Sequence, residues 1–395
     1  MMALPRARML ISMAITVGLI AGASSALELR AASCPDLLAL PTTISEDTTL
    51  ILEEPTETYG DPNMNWISCD EITTVHVDGP YKFVVTSDLE GSGYNFENAR
   101  FEIKGGADLT FELDSLLSFN YAASQGSDGG AIYVESGSSA TFDVRTSFEG
   151  NTVDGGYSGG VLYAGGDVEF KHSVDFISNE AGTSDGDAPG DGGAVAVGPD
   201  GSVNFLDFSD FTDNKAHSGG KGGALANAGS VFFGRRSSFT FNMAGEDENG
   251  DGGYGGAMYA DPYSSTKFKR RTIWHDNEAA SGGALYNLGY VELYSNVFFR
   301  RNKATGSVRA EGGHIYLEGL DVGGDGITYA EGSIDLFGEK NNFREGEAQD
   351  GGAFFIGPGS VIGQNGAFNY IDNTASRYCN NEAASRISGI PRCWD

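Results

Sequence analysis

The chain has 395 residues with 55 acidic against 25 basic side chains, a formal charge of −30. So acidic a surface repels nucleic acid and anionic membrane and attracts divalent cations, which removes nucleic acid from the expected partners. Apolar residues make up 40% of the chain and recur periodically, so the composition also excludes intrinsic disorder.

At the start, Arg6 and Arg8 precede an apolar stretch from Met9 to Ala23 and the small residues Ser24, Ser25 and Ala26. Residues 1–26 therefore read as a secretory signal peptide. The apolar stretch is shorter than a spanning helix needs, and no later segment is apolar enough to cross a membrane. Residues 27–86 lack the repeat described below, contain Pro41, Pro55, Pro62 and Pro80, and hold Cys34 and Cys69. They are read as an N-terminal cap over an otherwise open sheet edge, with strands expected at 73–77, 81–85 and 99–103 leading into the repeats.

Eight times from Gly129 onward a Gly-Gly pair opens a short apolar run such as Ala131-Ile132-Tyr133-Val134, at intervals of 27 to 39 residues. Interleaved with them is an aromatic followed three residues later by Asn: Phe148/Asn151, Phe176/Asn179, Phe211/Asn214, Phe239/Asn242, Trp274/Asn277, Phe299/Asn302 and Tyr370/Asn373. Two short alternating strands and a third ending in Asn fill each unit, with turn residues between them. Strands of four or five residues bury little alone, so like must stack on like between units. The sequence thus predicts an all-β, single-stranded, right-handed parallel β-helix over residues 87–376, with about eight to ten turns and three sheets around a narrow core. In that solenoid the Gly-Gly pair supplies a corner with positive φ, the aromatics stack inward, and each Asn tolerates a left-handed conformation while bonding its copy one turn away. Phe148, Phe176, Phe211, Phe239, Trp274 and Phe299, with Asn151, Asn179, Asn214, Asn242, Asn277 and Asn302, are accordingly architectural.

Three sets of residues are left over from this plan. Asp185, Asp187 and Asp191 lie in one of two long acidic loops and are candidate Ca2+ ligands, although no complete EF-hand pattern is present. Arg235 and Arg236 occupy the same repeat positions as Arg270 and Arg271, and Arg300 and Arg301 follow Phe299 in the next unit. Stacking is expected to bring the six guanidiniums together, neutralised by nearby acids or available to a polyanion. The five histidines, His76, His172, His217, His275 and His314, sit at unrelated repeat positions and form no evident cluster. The interval from Gly312 to Phe343 carries an insertion around residues 321–326, and Phe343 is followed by Gly346 where Asn is expected.

Residues 377–395 hold Cys379 and Cys393 and are read as a C-terminal cap. With the stack between the two cysteine pairs, its ends lie about 40 Å apart at roughly 4.8 Å per turn, which leaves Cys34 to Cys69 and Cys379 to Cys393 as the connectivity. Disulfides agree with an oxidising, secreted destination, while the absence of any Asn-x-Ser/Thr triplet gives no basis for N-glycosylation.

Alternating Gly-Gly-Ala-Ile and Phe-x-x-Asn motifs between Ser118 and Asn373 resemble the repeats of the chlamydial polymorphic outer membrane proteins. The passenger regions of that family are similar to right-handed parallel β-helices of the pectate-lyase-like kind. Its members also carry a membrane-inserted β-barrel, for which the sequence after Asn373 has no room, so autotransport is not carried over. The resulting expectation is a secreted, non-catalytic, adhesin-like scaffold at a cell surface or in an extracellular matrix, with an extracellular glycan or surface protein as partner. The alternative is a polysaccharide lyase, hydrolase or epimerase on the same scaffold, which requires clustered carboxylates on one exposed sheet.

Overall fold

A computed structural model describes residues 27–40, 46–53, 64–87, 89, 91, 93–182, 188–250, 252–307, 310–318, 333–356, 361–371 and 374–375. The segment read as a signal peptide, the expected Cys379–Cys393 bridge, the segment read as a C-terminal cap, the 321–326 insertion and Asn373 lie outside these residues. Within them the chain winds into a parallel β-helix, each strand pairing only with its equivalents in the coils before and after.

Four strands make a coil, one more than the sequence pattern suggests. Face A follows the Gly-Gly pair and runs through Ile132–Val134, Leu162–Ala164, Val195–Val197 and their successors to Phe354–Ile356. Face B includes Ser139–Phe142, Asp167–Phe170 and Ser202–Phe205. Face C carries the motif aromatic, as in Arg145–Glu149, Ser237–Thr240, Thr272–His275 and Val297–Arg300. Face D is a separate nine-stranded sheet of two- and three-residue strands directly after the motif Asn, for example Lys215–Ala216 and Met243–Ala244. The segment read as the N-terminal cap follows the same plan: Leu27–Ala31, Thr48–Leu52 and Lys82–Ser87 stack in parallel register beneath Asp108–Glu112 on face B. A five-residue helix, Cys34–Leu38, interrupts it. The expected Cys34–Cys69 disulfide ties that helix to strand Met64–Asp78, with 5.3 Å between the Cα atoms.

Two aromatic columns run through the core beside the aliphatic side chains of face A, among them Ile132, Leu162 and Leu225. On face C, Phe148, Phe176, Phe211, Phe239, Trp274 and Phe299 stack with ring centroids 4.3 to 5.3 Å apart. A second column on face B, Phe111, Phe142, Phe170, Phe205, Phe233 and Phe268, meets the first edge to face. Such pairs contribute about 0.5 to 1.5 kcal/mol each beyond their burial.

At the Gly-Gly corner consecutive coils touch. Gly222 has φ of 67°, and a Cβ on Gly223 would stand 2.1 Å from the carbonyl oxygen of Gly256, so neither position accommodates another residue. The motif asparagines are fully buried and form the amide ladder expected of them. Asn179 donates both its backbone N–H (3.1 Å) and its Nδ2 (2.9 Å) to Oδ1 of Asn214. Asn214 repeats the pair of bonds to Asn242 and donates Nδ2 to the carbonyl of Phe176 (3.1 Å). The left-handed residue, however, is the one before each Asn: Gly150, Ser178, Asp213, Phe241, Asp276 and Arg301 have φ between 51° and 65°. The preceding residue makes the turn, which lets the Asn side chain point inward and close the ladder.

Asn214→Ala removes the acceptor for two buried donors of Asn179 and a donor to two buried oxygens. Unsatisfied buried groups cost about 1 to 3 kcal/mol each, so the variant is expected to lose at least about 3 kcal/mol. Urea unfolding measures this; a loss below about 1 kcal/mol would mean that the ladder does not hold the coils together.

Candidate polyanion-binding groove

Strand alternation sends Thr272 and Trp274 inward and Ile273 and His275 outward on face C. In-register stacking then builds two outward rows across three coils: Ile273, Phe298 and Asn342 in one, His275, Arg300 and Arg344 in the other. Both rows line a groove of about 480 Å3, together with Arg271 and Glu345. Its floor is apolar, formed by Ile273 and Phe298, and the Arg271 guanidinium sits over the Phe298 ring at 5.5 Å, within cation–π range.

The six arginines singled out by the sequence do not form one stack. Arg236 and Arg271 precede the register pair Ser237 and Thr272 at one edge of face C, whereas Arg300 pairs with His275 at the opposite edge. Arg235 is held by Asp207 at 3.3 Å. Arg301 is turned onto Asp276, bonding both carboxylate oxygens at 2.8 and 2.7 Å. Arg300 reaches Glu345 through Nε at 3.3 Å. Among the described residues Arg236, Arg270, Arg271 and Arg344 make no ion pair. The sequence reading therefore found the basic surface but missed Arg344, Ile273 and Phe298. A signal existed for Arg344: it follows Phe343 as Arg300 follows Phe299, in consecutive repeats.

His275 closes one end of the groove. Its Nδ1 lies 2.6 Å from Asp276 Oδ2, and Arg301 donates to its Nε2 at 3.0 Å, so both ring nitrogens are occupied. Burial pushes the imidazole below its ordinary value; Asp276 opposes this, and Arg301 and Arg300 add to the depression. The other histidines lie elsewhere: His76 beside Glu102, His172 beside Asp143, His217 beside Glu180, and His314 in the core. Glu345 is the one carboxylate among the described residues lining the groove, and Arg300 holds it.

The acidic loops are pinched at their bases by the bridges Gly182 to Pro189 and Glu246 to Gly252. Asp185 and Asp187 fall outside the described residues. Asp191 accepts the backbone N–H of Lys221 at 2.9 Å, and burial raises its carboxyl. Among the described residues no three His, Cys, Asp or Glu side chains are placed to hold a metal ion. Nor is any described helix long and apolar enough to cross a membrane.

No family model, curated protein or solved structure matches this chain.

The contacts of His275 are open to direct measurement. Its NMR titration midpoint is expected below the ordinary value of about 6.5. Arg301→Ala removes a cation and frees Asp276 to act on the ring, so both changes shift the midpoint upward. A midpoint that stays put or falls would show that the Arg301 and Asp276 contacts do not govern this ring.

Proposed function

We propose that the protein is a secreted, non-catalytic, adhesin-like scaffold that binds an acidic polysaccharide in the face C groove. One observation carries this reading: a chain of formal charge −30 gathers Arg271, Arg300 and Arg344 around an apolar floor of Ile273 and Phe298. Among the described residues Arg271 and Arg344 make no ion pair, and an unneutralised cluster of like charge is unfavourable unless something anionic joins it. Guanidiniums bind carboxylate and sulfate groups through paired N–H donors, while the floor suits the apolar face of a sugar ring. The resemblance of the repeats to those of the chlamydial polymorphic outer membrane proteins accords with a surface-binding role. The Ca2+ reading of the acidic loops gains no support from the contacts of Asp191 and is not part of the proposal.

The test is retention on an immobilised polyuronate at rising salt, with circular dichroism to confirm that each variant is folded. Wild type is expected to be retained at low salt and released as salt rises. Replacing Arg271, Arg300 and Arg344 by Ala together should abolish retention, since each lost charge-assisted contact weakens binding about tenfold or more. Lys171→Ala, which removes a cation already paired with Asp143 in distant coils, should leave it unchanged. Failure of wild type to bind, or equal retention of the triple variant, would rule the groove out.

A further inference from the structure

We infer, resting on the reading just given, that the groove continues past His275 into an uncharged subsite formed by Phe241, Ser238 and Thr240, which takes a neutral sugar ring adjoining the acidic ones. Strand register places it there: Ser238 stacks on Ile273 and Thr240 on His275, so both rows of the groove run one coil further back. In that coil the rows change character. Their side chains are hydroxyls, 3.2 Å apart, where the groove has an apolar floor and cations. Phe241 follows Thr240 at the corner, 54% exposed, and its ring meets His275 edge to face with centroids 6.4 Å apart.

The fold gives no reason for a phenylalanine at that place. The same left-handed turn position in other coils holds Gly150, Ser178, Asp213, Asp276, Arg301 and Glu345, all small or polar, whereas Phe241 adopts it with φ of 58°. Such backbone disfavours a bulky side chain, and a ring left in water gains nothing from the core. Tyr121 is the other aromatic at this position, but its ring covers Gly150, where a Cβ would stand 2.9 Å from it. Phe241 meets no bare glycine in the next coil; Asp276 stands there, held by Arg301. An exposed ring beside two hydroxyls matches a sugar, whose C–H face stacks on an aromatic while its hydroxyls exchange hydrogen bonds. The subsite suits a sugar without an acid group, because the cations near this corner are engaged: Arg301 by Asp276, and Lys215 at 4.0 and 3.9 Å from Glu180 and Asp213. Asp210, one coil further back in register with Ser238, would repel a carboxylate. Arg236 lies at the opposite edge of the face, five residues before Phe241.

Calorimetry on the full chain with two oligomers of equal charge tests this: an octamer alternating glucuronate with N-acetylglucosamine, and a tetramer of 1,4-linked mannuronate. Phe241→Ser installs the residue that Ser178 already supplies at this turn in another coil, so the urea midpoint is expected to hold or rise. The same variant should weaken the alternating octamer about fivefold, the effect of leaving an apolar ring face in water, and leave the mannuronate tetramer unchanged. Phe241→Tyr should retain the octamer's affinity. Unchanged binding of the octamer by Phe241→Ser, or an equal loss for both oligomers, would overturn the uncharged subsite while leaving acidic-sugar binding in the groove intact. A lowered urea midpoint would overturn it too, by assigning the ring to the fold. Absence of binding of both oligomers by wild type would instead remove the proposed function on which the subsite rests.

Discussion

The buried asparagine ladder is the constraint on which the rest of the structure depends. A stack of short strands has no long-range register of its own, because a strand of three or four residues slides by two positions without changing which face is buried. The ladder removes that freedom. Each amide must meet the amide of the next coil, since a buried donor left alone costs more than most single packing contacts return. Touching backbones at the Gly-Gly corner act on the same coordinate from the other side: the space behind Gly223 is filled by the carbonyls of Gly256 and Met243 in the next coil. Together they hold Phe above Phe, and the aromatic columns gain their stacking energy as a result.

Register fixed inside is register fixed outside. Because strand residues alternate between core and surface, a column of inward Phe or Trp is flanked by columns of outward residues with the same spacing. In several places those outward columns are mixed, as where Lys215 faces Glu180 and Lys267 faces Glu292. On face C from Thr272 onward they sort instead, with apolar Ile273 and Phe298 on one line and His275, Arg300 and Arg344 on the next. No core requirement demands this sorting, since the inward residues Trp274, Phe299 and Phe343 continue the same stack seen in the other coils. The groove is therefore a property of residues that the fold leaves free.

Much of this was legible in the sequence because the architectural residues repeat. Gly-Gly and Phe-x-x-Asn mark two corners of most coils, and an aromatic with a fixed place in each unit could only be stacked. What escaped is equally physical. Face D strands are two or three residues long, too short for an alternation signal, although an Ala at the second position after most motif asparagines records their inward side. The second aromatic column was written six residues before the first, as Phe205 before Phe211 and Phe233 before Phe239, but strand alternation hid it among ordinary core residues. The six arginines do not form one stack because nearness to Phe299 in sequence is not nearness to Arg271 in space. Four positions along a strand put Arg300 at the far edge of the face, about 13 Å from where the earlier pairs sit. The proline-rich start hid its coils for another reason: its strands Met64–Asp78 and Gly93–Lys104 run through the corner from face C to face A without a Gly-Gly pair to announce it.

The coil that breaks the rule shows what the rule is for. Gly346 stands where Asn is expected, so the ladder loses its next amide after Asn302. In the same coil the small residue after the Gly-Gly pair, Ala in most other coils, is His314. Its ring lies wholly in the core, Asn302 donates Nδ2 to its Nδ1 at 3.1 Å, and a Cβ on Gly346 would come within 2.8 Å of its Nε2. One side chain thus occupies the volume vacated by another and accepts the hydrogen bond the missing amide would have taken. Two departures from the consensus, about thirty residues apart in sequence, make sense only as a pair. If the motif asparagines merely favoured a turn, Gly346 alone would suffice and nothing would require a buried imidazole opposite it. The exchange is intelligible because the amide donor of Asn302 must be satisfied at that height in the stack, and it keeps Phe343 and Arg344 in register with Phe299 and Arg300 at the edge of the groove.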